Sequence, residues 1–509
     1  MNSTLTRTLI CAAVFLASLF YINDLVGDIY HPSLDEGIYL EGGERLLEGQ
    51  VPYRDFFAFT GPVIYWTQAG LERVFGRHMP PLRLSSMAAL ALMVTMIFAL
   101  TSRFTDWFYG LAAALVYLGY TSASPFAIIV NHRWLSAGFA ALALWAAVEA
   151  TNRTARPAWL WSLAGVAAAL AAWTTPSFIV GVGAYLLWLV FRERQHLLPY
   201  CGGVLLVSLP AMAWLVANGA LWPMVNNLVW VGARYTKANA VPYAYNPSGR
   251  AFPWDDATLP LYTRAIAGIS LARYYLSPIG GPLLLALYGW LTWRGKLDAP
   301  RQVLMLGAAA TFITVYPRWD LNQLLYITAP FAVMFALLLF QLPKLAQPAL
   351  ATFFVFWSMY NYTGGQRVVA DYPNFPTRAG MQRGHLTLLE GYEKLEKLIP
   401  EGATLFAFPY LPSLGFSLHA HNPIRYTFLQ PGMMSKEDEA NALADLEKHP
   451  PRFILRQYFP DDQVLNTWPS SDRSTLAMNS IRQFIDRRYR FVDVVQAIYY
   501  RVEVMELNP

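Results

Sequence analysis

Long apolar runs recur along this chain and are separated by short polar connections. Each run is close to the 17 to 25 residues, roughly, that an α-helix needs to cross a hydrocarbon layer. The first run lacks a small-residue cleavage site before Asp28, so we interpret it as a retained signal-anchor. The pattern predicts about eleven membrane-spanning helices, over residues 8–27, 82–101, 107–125, 134–150, 158–174, 176–191, 198–217, 277–293, 302–316, 321–341 and 348–363.

The connections between these runs are charged asymmetrically. With a cytoplasmic N-terminus, every inner connection is basic, and only Asp106, Glu193 and Asp298 oppose the positive charges. This distribution satisfies the positive-inside rule. The basic residues are Arg7, Arg103, Arg153, Arg156, Arg192, Arg194, Arg294, Lys296, Arg301 and Lys344.

Three outer segments stand apart by length or polar content. The first covers residues 28–81, the second covers the aromatic-rich residues 218–276, and the third begins near residue 364. The third is rich in charge and proline, alternates helix-like with strand-like stretches, and is long enough for a core of its own. The sequence therefore predicts a transmembrane domain over 1–363 and an external α/β domain over 364–509.

Composition supports a membrane protein. Of 509 residues, 55% are hydrophobic and only 14% are charged, whereas soluble proteins carry about a quarter charged residues. Cys11 and Cys201 both lie in apolar runs, so neither a disulfide nor a redox centre is expected. Nothing in the charge pattern indicates a nucleic-acid partner.

The stretch "HPSLDEGIYLEGGERLLEGQVPYRDFF", residues 31–57, gathers carboxylates just after the first run. Ser33 and Glu36 have the spacing of a capping box, which predicts a helix from Ser33 to about Glu48, with Gly49 ending it. We expect this helix to be amphipathic and to lie on the membrane surface. Its solvated face is predicted to carry Glu41, Glu44 and Glu48.

Asp35 and Asp55 are the acids of this stretch that we select for chemistry. Acidic residues in a first helical turn also complement the helix dipole, which is a sufficient structural reason for Asp35 and Glu36. Alternatively, carboxylates near a membrane surface can remove a proton from a hydroxyl or amine, or bind a metal that orients a phosphate. Spacing alone leaves these alternatives open.

The motifs "LDEGIYLEGGERLLEGQVPYRDFFAFTGPVIYW" and "FGRHMPPLRLSS" resemble the first external loop of the polytopic GT-C glycosyltransferases. The resemblance is to the bacterial branch related to protein O-mannosyltransferases and lipid A aminoarabinose transferases. It covers the pattern of spans over about 360 residues and the external C-terminal domain, while the specific motif lies within about residues 34–85.

This resemblance implies a GT-C fold and an inverting transfer of a sugar from a polyprenyl-phosphate-linked donor to a glycan, lipid or protein acceptor. It implies location in a bacterial inner membrane, with the C-terminal domain in the periplasm. The catalytic acid would be Asp35, with Glu36 beside it, and Asp55 would be a second acid near the acceptor or a metal. No cofactor is firmly implied; a divalent metal held by Asp35 and Asp55 stays open.

One departure concerns the donor phosphate. Relatives often carry a Lys-Pro-Pro motif where this chain has Thr60-Gly61-Pro62, so another cation must meet the phosphate. Guanidinium groups suit that task, and a charge close to the membrane tends to line a cavity. The candidate substrate-binding residues are Arg318, Arg133, His132 and Arg83, with Tyr53 and Arg54 of the "PYRDFF" segment.

Two other functions fit a polytopic protein. A transporter or flippase predicts ionisable residues or broken helices near span centres and a repeat symmetry, whereas the charges here cluster at the outer ends. A scaffold would not need so many spans. No glycine-rich phosphate loop, zinc spacing or Ser-His-Asp signature is present, which disfavours a nucleotide-sugar donor.

Overall fold

The computed structural model describes residues 4–31, 34–122, 127–151, 158–245, 278–497 and 500–509, which are mostly helical. The helices in the first 363 residues are α1 (Thr4–Val26), α2 (Leu34–Leu47), α3 (Val63–Phe75), α4 (Met79–Leu82), α5 (Leu84–Phe104), α6 (Trp107–Ser122), α7 (His132–Ala150), α8 (Ala158–Thr174), α9 (Ile179–Arg192), α10 (Leu197–Ala217), α11 (Leu221–Trp230), α12 (Thr236–Ala238), α13 (278–293), α14 (Ala299–Ile313), α15 (Leu321–Leu325), α16 (Thr328–Leu339) and α17 (Ala346–Ala370).

Helices lie at all eleven predicted spans, with ends that differ by a few residues. Among the described residues, three helical stretches are long and apolar enough to cross a membrane when judged by length and composition alone: Leu5–Val26, Leu84–Phe104 and Arg194–Ala217. Helix α17 continues past residue 363 to Ala370, so the predicted domain boundary falls inside a helix. The protein is a multi-pass membrane protein in its helical part.

The prediction of one continuous helix over 321–341 is wrong. Asp320 caps α15 by accepting a hydrogen bond from the Gln323 amide, and that helix ends at Leu325. Pro330 then lies in the first turn of α16. A proline ring clashes with the carbonyl four residues earlier, which accounts for the interruption at Tyr326 and Ile327.

The C-terminal part contains a small β-sheet together with helices, as its strand-like and helix-like stretches predict. Two strands precede this part, β1 (Val241–Tyr245) and β2 (Arg318–Asp320). The strands of the C-terminal part are β3 (Asn374–Thr377), β4 (Gly380–Arg383), β5 (Leu405–Phe408), β6 (Phe453–Gln457), β7 (Tyr489–Ala497) and β8 (Tyr500–Leu507). Its four-stranded sheet has the order β5-β6-β8-β7, in which β5 and β6 are parallel and the other pairs antiparallel. The helices are α18 (Leu386–Leu398), α19 (Pro412–Ser417), α20 (Lys436–Lys448), α21 (Asp461–Thr467) and α22 (Asn479–Arg488).

Helix α2 forms where the sequence predicts it, although Ser33, the proposed cap, lies outside the described residues. The helix is enclosed by protein and does not present an exposed polar face along its length, because residues 36–45 are all buried. Three glycines permit this packing. A Cβ at Gly37 would meet the Ser413 backbone of α19, and Cβ atoms at Gly42 and Gly43 would meet α3.

The predicted solvated face of α2 is mostly wrong. Glu41 and Glu44 are 8% and 7% exposed, and only Glu48 faces solvent. Burial is tolerated because each acid has a cation: Arg45 lies 2.7 Å from Glu41, and Arg77 lies 2.6 Å from Glu44.

Candidate active site

Asp35 lies in the first turn of α2 and contacts the loop before α7. Its Oδ2 accepts a hydrogen bond of 2.9 Å from the side-chain nitrogen of Asn131. The amide oxygen of Asn131 accepts from the Arg133 backbone nitrogen at 2.8 Å and so caps α7. Because the cap occupies the amide oxygen, the NH₂ group of Asn131 must face Asp35.

Arg133 lies one position into α7 and is 6% exposed. Its Nη1 donates to the Thr314 carbonyl at 3.3 Å, just beyond α14. Within the described ranges, this hydrogen bond leaves part of the Arg133 guanidinium available for another acceptor.

Arg318 reaches the same region from β2, which precedes α15. Its Nε donates to Asp320, its Nη1 donates to Asn239 Oδ1 at 3.1 Å, and its guanidinium carbon lies 5.6 Å from the centre of the Trp468 ring. The second external segment and the C-terminal domain therefore both hold this arginine.

These charges act on Asp35. Burial raises the pKa of its carboxyl above the ordinary range, while the positive charges of Arg318 and Arg133 and the Asn131 hydrogen bond oppose that rise. Asp35 therefore shares one electrostatic environment with two arginines from distant parts of the chain. A carboxylate beside two guanidinium groups can exchange a proton while the cations bind an anion.

Glu36 and Arg83, predicted as a catalytic partner and a phosphate contact, instead form a buried ion pair. Both nitrogens of the Arg83 fork donate to Glu36, at 2.8 and 2.7 Å, and Nη1 donates to the Val26 and Ile29 carbonyls. Glu36 also accepts from the Val130 amide at 3.2 Å. This network joins the ends of α1, α2, α5 and α7. The buried charges of Glu36 and Arg83 neutralise each other within it.

The "PYRDFF" segment forms a tight turn away from these groups. Both oxygens of Asp55 accept from Arg54, at 2.9 and 2.7 Å, and Oδ2 also accepts from the Val51 amide. The described hydrogen bonds and ion pairs of Asp55 include neither Asn131 nor Arg318. The hydrogen bonds from the Arg54 side chain lower the pKa of Asp55. The structure therefore does not join Asp35 and Asp55 into one pair.

Tyr53 and Arg54 have structural partners in this turn. The Tyr53 hydroxyl donates to the Thr60 carbonyl at 2.6 Å, and Arg54 donates to the Asn218 carbonyl at 2.8 Å. From the C-terminal domain, the Arg425 side chain donates to the backbone carbonyls of Tyr53 and Arg54. The segment thus anchors the C-terminal domain.

His132 is 7% exposed at the start of α7. Its Nδ1 lies 2.7 Å from Thr175 Oγ1, and its ring packs 5.6 Å from Tyr39 and 6.4 Å from Phe59 between ring centres. These contacts place it beside the Asp35 helix, as a packed residue among aromatic rings.

Asn131, Asp320, Asn239 and Trp468 belong to this site but are absent from the sequence-based candidates. Asn131 and Asp320 each cap a helix, and an N-capping polar residue is a signal that the sequence contains. Asn239 and Trp468 reach Arg318 through long-range contacts that no local pattern indicates.

Comparison with known proteins gives a family match and several structural matches. The family model for dolichyl-phosphate-mannose-protein mannosyltransferase matches residues 60–218. No curated protein sequence matches.

Among solved structures, ArnT from Cupriavidus metallidurans bound to undecaprenyl phosphate is similar over 99% of this chain and 98% of its own, with a TM-score of 0.61 and 13% identity. Its apo state gives a TM-score of 0.60 and 12% identity, over 98% of this chain and 97% of that one. The oligosaccharyltransferase AglB from Archaeoglobus fulgidus, in complex with an inhibitory peptide and a dolichol-phosphate, gives 0.53 and 12% over 89% of this chain and 70% of its own.

The chain therefore shares the fold of ArnT over nearly its whole length, and residues 60–218 match the mannosyltransferase family model. Both findings agree with the resemblance to GT-C glycosyltransferases that the sequence indicates. The sequence-based resemblance is confirmed at this level.

Proposed function

We propose that this protein transfers a glycosyl unit from a polyprenyl-phosphate-linked donor to an acceptor at the external face of the membrane. The observation that carries the proposal is that the buried carboxyl of Asp35 in α2 lies within the electrostatic influence of Arg133 in α7 and Arg318 in β2. A transferase of this kind needs a base for the acceptor and cations for the leaving phosphate, and this site provides both.

The two arginines replace the lysine of the relatives' Lys-Pro-Pro motif in this proposal. Planar guanidinium groups bind phosphate oxygens through paired hydrogen bonds, and Arg133 and Arg318 approach from different elements. Similar proteins have been solved with undecaprenyl phosphate and with dolichol-phosphate, which supports a lipid phosphate as the donor's leaving group here.

In the proposed reaction, Asp35 takes the proton from the acceptor hydroxyl or amine as that group attacks the anomeric carbon. The bond from that carbon to the phosphate oxygen breaks, and the arginines stabilise the departing polyprenyl phosphate. A single displacement inverts the configuration at this carbon.

The donor set around Asp35 does not suit a divalent metal. Asp35 faces the Asn131 NH₂ group and two guanidinium charges, and the nearby carboxylate Asp320 is paired with Arg318. A further cation would be repelled by both arginines. We therefore route no step through a metal shared by Asp35 and Asp55.

The proposal places the protein in a bacterial inner membrane with eleven spanning helices, a cytoplasmic N-terminus and a periplasmic C-terminal domain. The basic inner connections support this orientation. A transporter is not favoured, because the ionisable cluster lies at one end of the helices and is built for a phosphate and a base.

Purified protein supplied with radiolabelled polyprenyl-phosphate sugars tests this function. We expect Asp35→Asn to reduce release of polyprenyl phosphate by a factor of about 10² to 10⁴, the usual contribution of a general base. Asp55→Asn is the matched control, because its partners are Arg54 and Val51, and it should keep most of the activity. Full activity in Asp35→Asn would contradict the assignment.

A further inference from the structure

A second polar cluster lies at the C-terminal end of α2, away from the candidate active site. Glu44 of α2 and Glu48, which directly follows that helix, approach His421 of the C-terminal domain, and one potential ligand atom from each lies within 4.8 Å of the others. The His421 Nδ1 is 3.1 Å from a Glu48 oxygen and 3.4 Å from a Glu44 oxygen. We call Glu44, Glu48, Glu72 and His421 the α2 acidic cluster.

Glu72 is the observation that separates this cluster from an ordinary acidic surface. Its side chain is 6% exposed, and within the described part of the chain its Oε2 is buried without a hydrogen-bond partner. The charges that act on its carboxyl are those of Arg77 and Glu48, so it shares the electrostatic environment of the cluster. A buried carboxyl oxygen without a partner is costly unless something else binds it.

The charge balance of the cluster is incomplete. Three carboxylates face one guanidinium, that of Arg77, which lies 2.6 Å from Glu44. Glu41 is already paired with Arg45 and contributes no free charge. With His421 neutral, the cluster keeps two negative charges in excess, which one divalent cation would neutralise.

Burial penalises that excess charge. It raises the pKa of Glu44 to about 8 and that of Glu72 to about 7, with the charge of Arg77 opposing the rise in both. A bound cation is one way to keep such carboxyls ionised, and a bound proton is the competing way.

The backbone holds the potential ligands in place before any ion binds. Glu44 lies in the last turn of α2, and Glu48 directly follows that helix with its amide donating to the Glu44 carbonyl at 3.0 Å. Helix α2 packs against α3 and α19. The backbone nitrogen of His421 donates to the Ala403 carbonyl, and its own carbonyl accepts from the Leu405 amide at the edge of the sheet. Ligands on rigid elements make a more precise site than ligands on free loops.

From this geometry we infer that the α2 acidic cluster binds one divalent transition-metal ion, such as Zn²⁺ or Mn²⁺, through Glu44, Glu48 and His421, with the buried carboxyl of Glu72 adding negative charge beside the ion. An imidazole nitrogen together with carboxylate oxygens favours such ions over Mg²⁺, which prefers oxygen ligands and keeps its waters. The ion fastens the C-terminal domain to the helix that carries Asp35, and Arg77 remains as a second counter-charge to Glu44.

Metal analysis of the purified full-length protein tests this inference, with Zn²⁺ as the probe. After chelation, addition of Zn²⁺ and desalting, we expect about one tightly held ion per chain and a raised melting temperature. His421→Ala and Glu48→Gln should lose both effects; these side chains are 45% and 40% exposed, so the protein should still fold. The surface variants His449→Ala and Glu447→Gln are matched controls and should retain them.

Asp35→Asn distinguishes this site from the candidate active site, because that variant should still bind the ion. Zinc retained by both His421→Ala and Glu48→Gln at the wild-type level would overturn the assignment to these residues. Absence of a tightly held ion in the wild-type protein would show that protons, rather than a metal, neutralise the cluster. A rise in melting temperature with Mg²⁺ equal to that with Zn²⁺ would overturn the choice of a transition ion.

Discussion

Asp35 and Glu36 are neighbours in sequence but have different surroundings. Successive residues on a helix point about 100° apart, so Glu36 enters the fork of Arg83 while Asp35 faces Asn131. Both oxygens of Glu36 are bound by Arg83, whereas Asp35 accepts one hydrogen bond from Asn131 and senses the arginine charges from nearby. The first environment holds a charge in place, and the second leaves a carboxylate able to react.

The Glu36–Arg83 pair leads to a prediction about stability. We expect Glu36→Gln to lower the free energy of unfolding by about 3 kcal/mol, because it leaves a buried guanidinium without its counter-charge. Thermal unfolding of the detergent-purified protein measures this. Glu393→Gln, which breaks the solvent-exposed pair with Lys397, should leave the melting temperature almost unchanged.

The double variant Glu36→Gln/Arg83→Met checks the cause of that loss. Removing both charges should recover part of the stability, since no unpaired charge is then buried. A double variant less stable than Glu36→Gln alone would contradict this explanation.

The environment of Asp35 predicts the pH dependence of the proposed reaction. As a base, Asp35 acts when deprotonated, and burial raises its pKa, so the acid limb of kcat/KM should lie above the ordinary range of an aspartate. The positive charge of Arg318 lowers that pKa, so Arg318→Gln should move the acid limb to higher pH besides reducing the rate. Measuring kcat/KM of the Arg318→Gln variant across a range of pH gives the position of its acid limb. An acid limb at the wild-type pH would show that a group other than Asp35 controls it.

Helix α2 illustrates how packing can override a local pattern. Its sequence has the acidic residues of a solvated helix, and its existence and ends were predictable from them. Its burial was not, because the partners of Glu41 and Glu44 include Asn422 and His421, almost 400 residues away in sequence. The glycines of "DEGIYLEGGE" were the available signal, since each leaves space for a neighbouring backbone or ring.

Gly37 provides a direct test of that packing. A Cβ at this position would lie 2.1 Å from the Ser413 nitrogen and 2.7 Å from the Pro412 carbonyl carbon, both backbone atoms that cannot rotate away. We expect Gly37→Ala to cost about 1 to 3 kcal/mol of unfolding free energy, although alanine is the better helix former.

Gly70→Ala is the matched control for this prediction. Gly70 lies in α3, and a Cβ there meets nothing within 4 Å, so the substitution should be neutral or stabilise the protein slightly. Equal effects of the two substitutions on the melting temperature would show that helix propensity, and not contact with α19, decides the outcome.

Over the whole chain, features set by local interactions could be predicted from the sequence, and features set by contacts between distant segments could not. Apolar length and local pattern were enough for the helices at the predicted spans and for the strands of the C-terminal sheet. Pairings such as Glu36 with Arg83, or Arg318 with Trp468, join segments that no local pattern connects. The acids and arginines could therefore be selected as candidates from the sequence, while their division into a reactive site and structural pairs needed the fold.

The orientation of the molecule is the last prediction, and it determines which side of the membrane Asp35 faces. Basic residues in short connections stay on the cytoplasmic side, so the connection that contains Arg294 and Lys296 should be inside and the C-terminal domain outside. In a background without Cys11 and Cys201, a membrane-impermeant maleimide added to spheroplasts should label Glu447→Cys. It should label Lys296→Cys only after the membrane is permeabilised.

Both positions are exposed, so a difference in labelling between them reports sidedness and not burial. Equal labelling of the two variants in detergent confirms that both thiols react. The reverse pattern in intact spheroplasts would place Asp35 and the proposed transfer on the cytoplasmic side, since Arg425 and Arg383 join the C-terminal domain to the first external loop and both must lie on one side of the membrane.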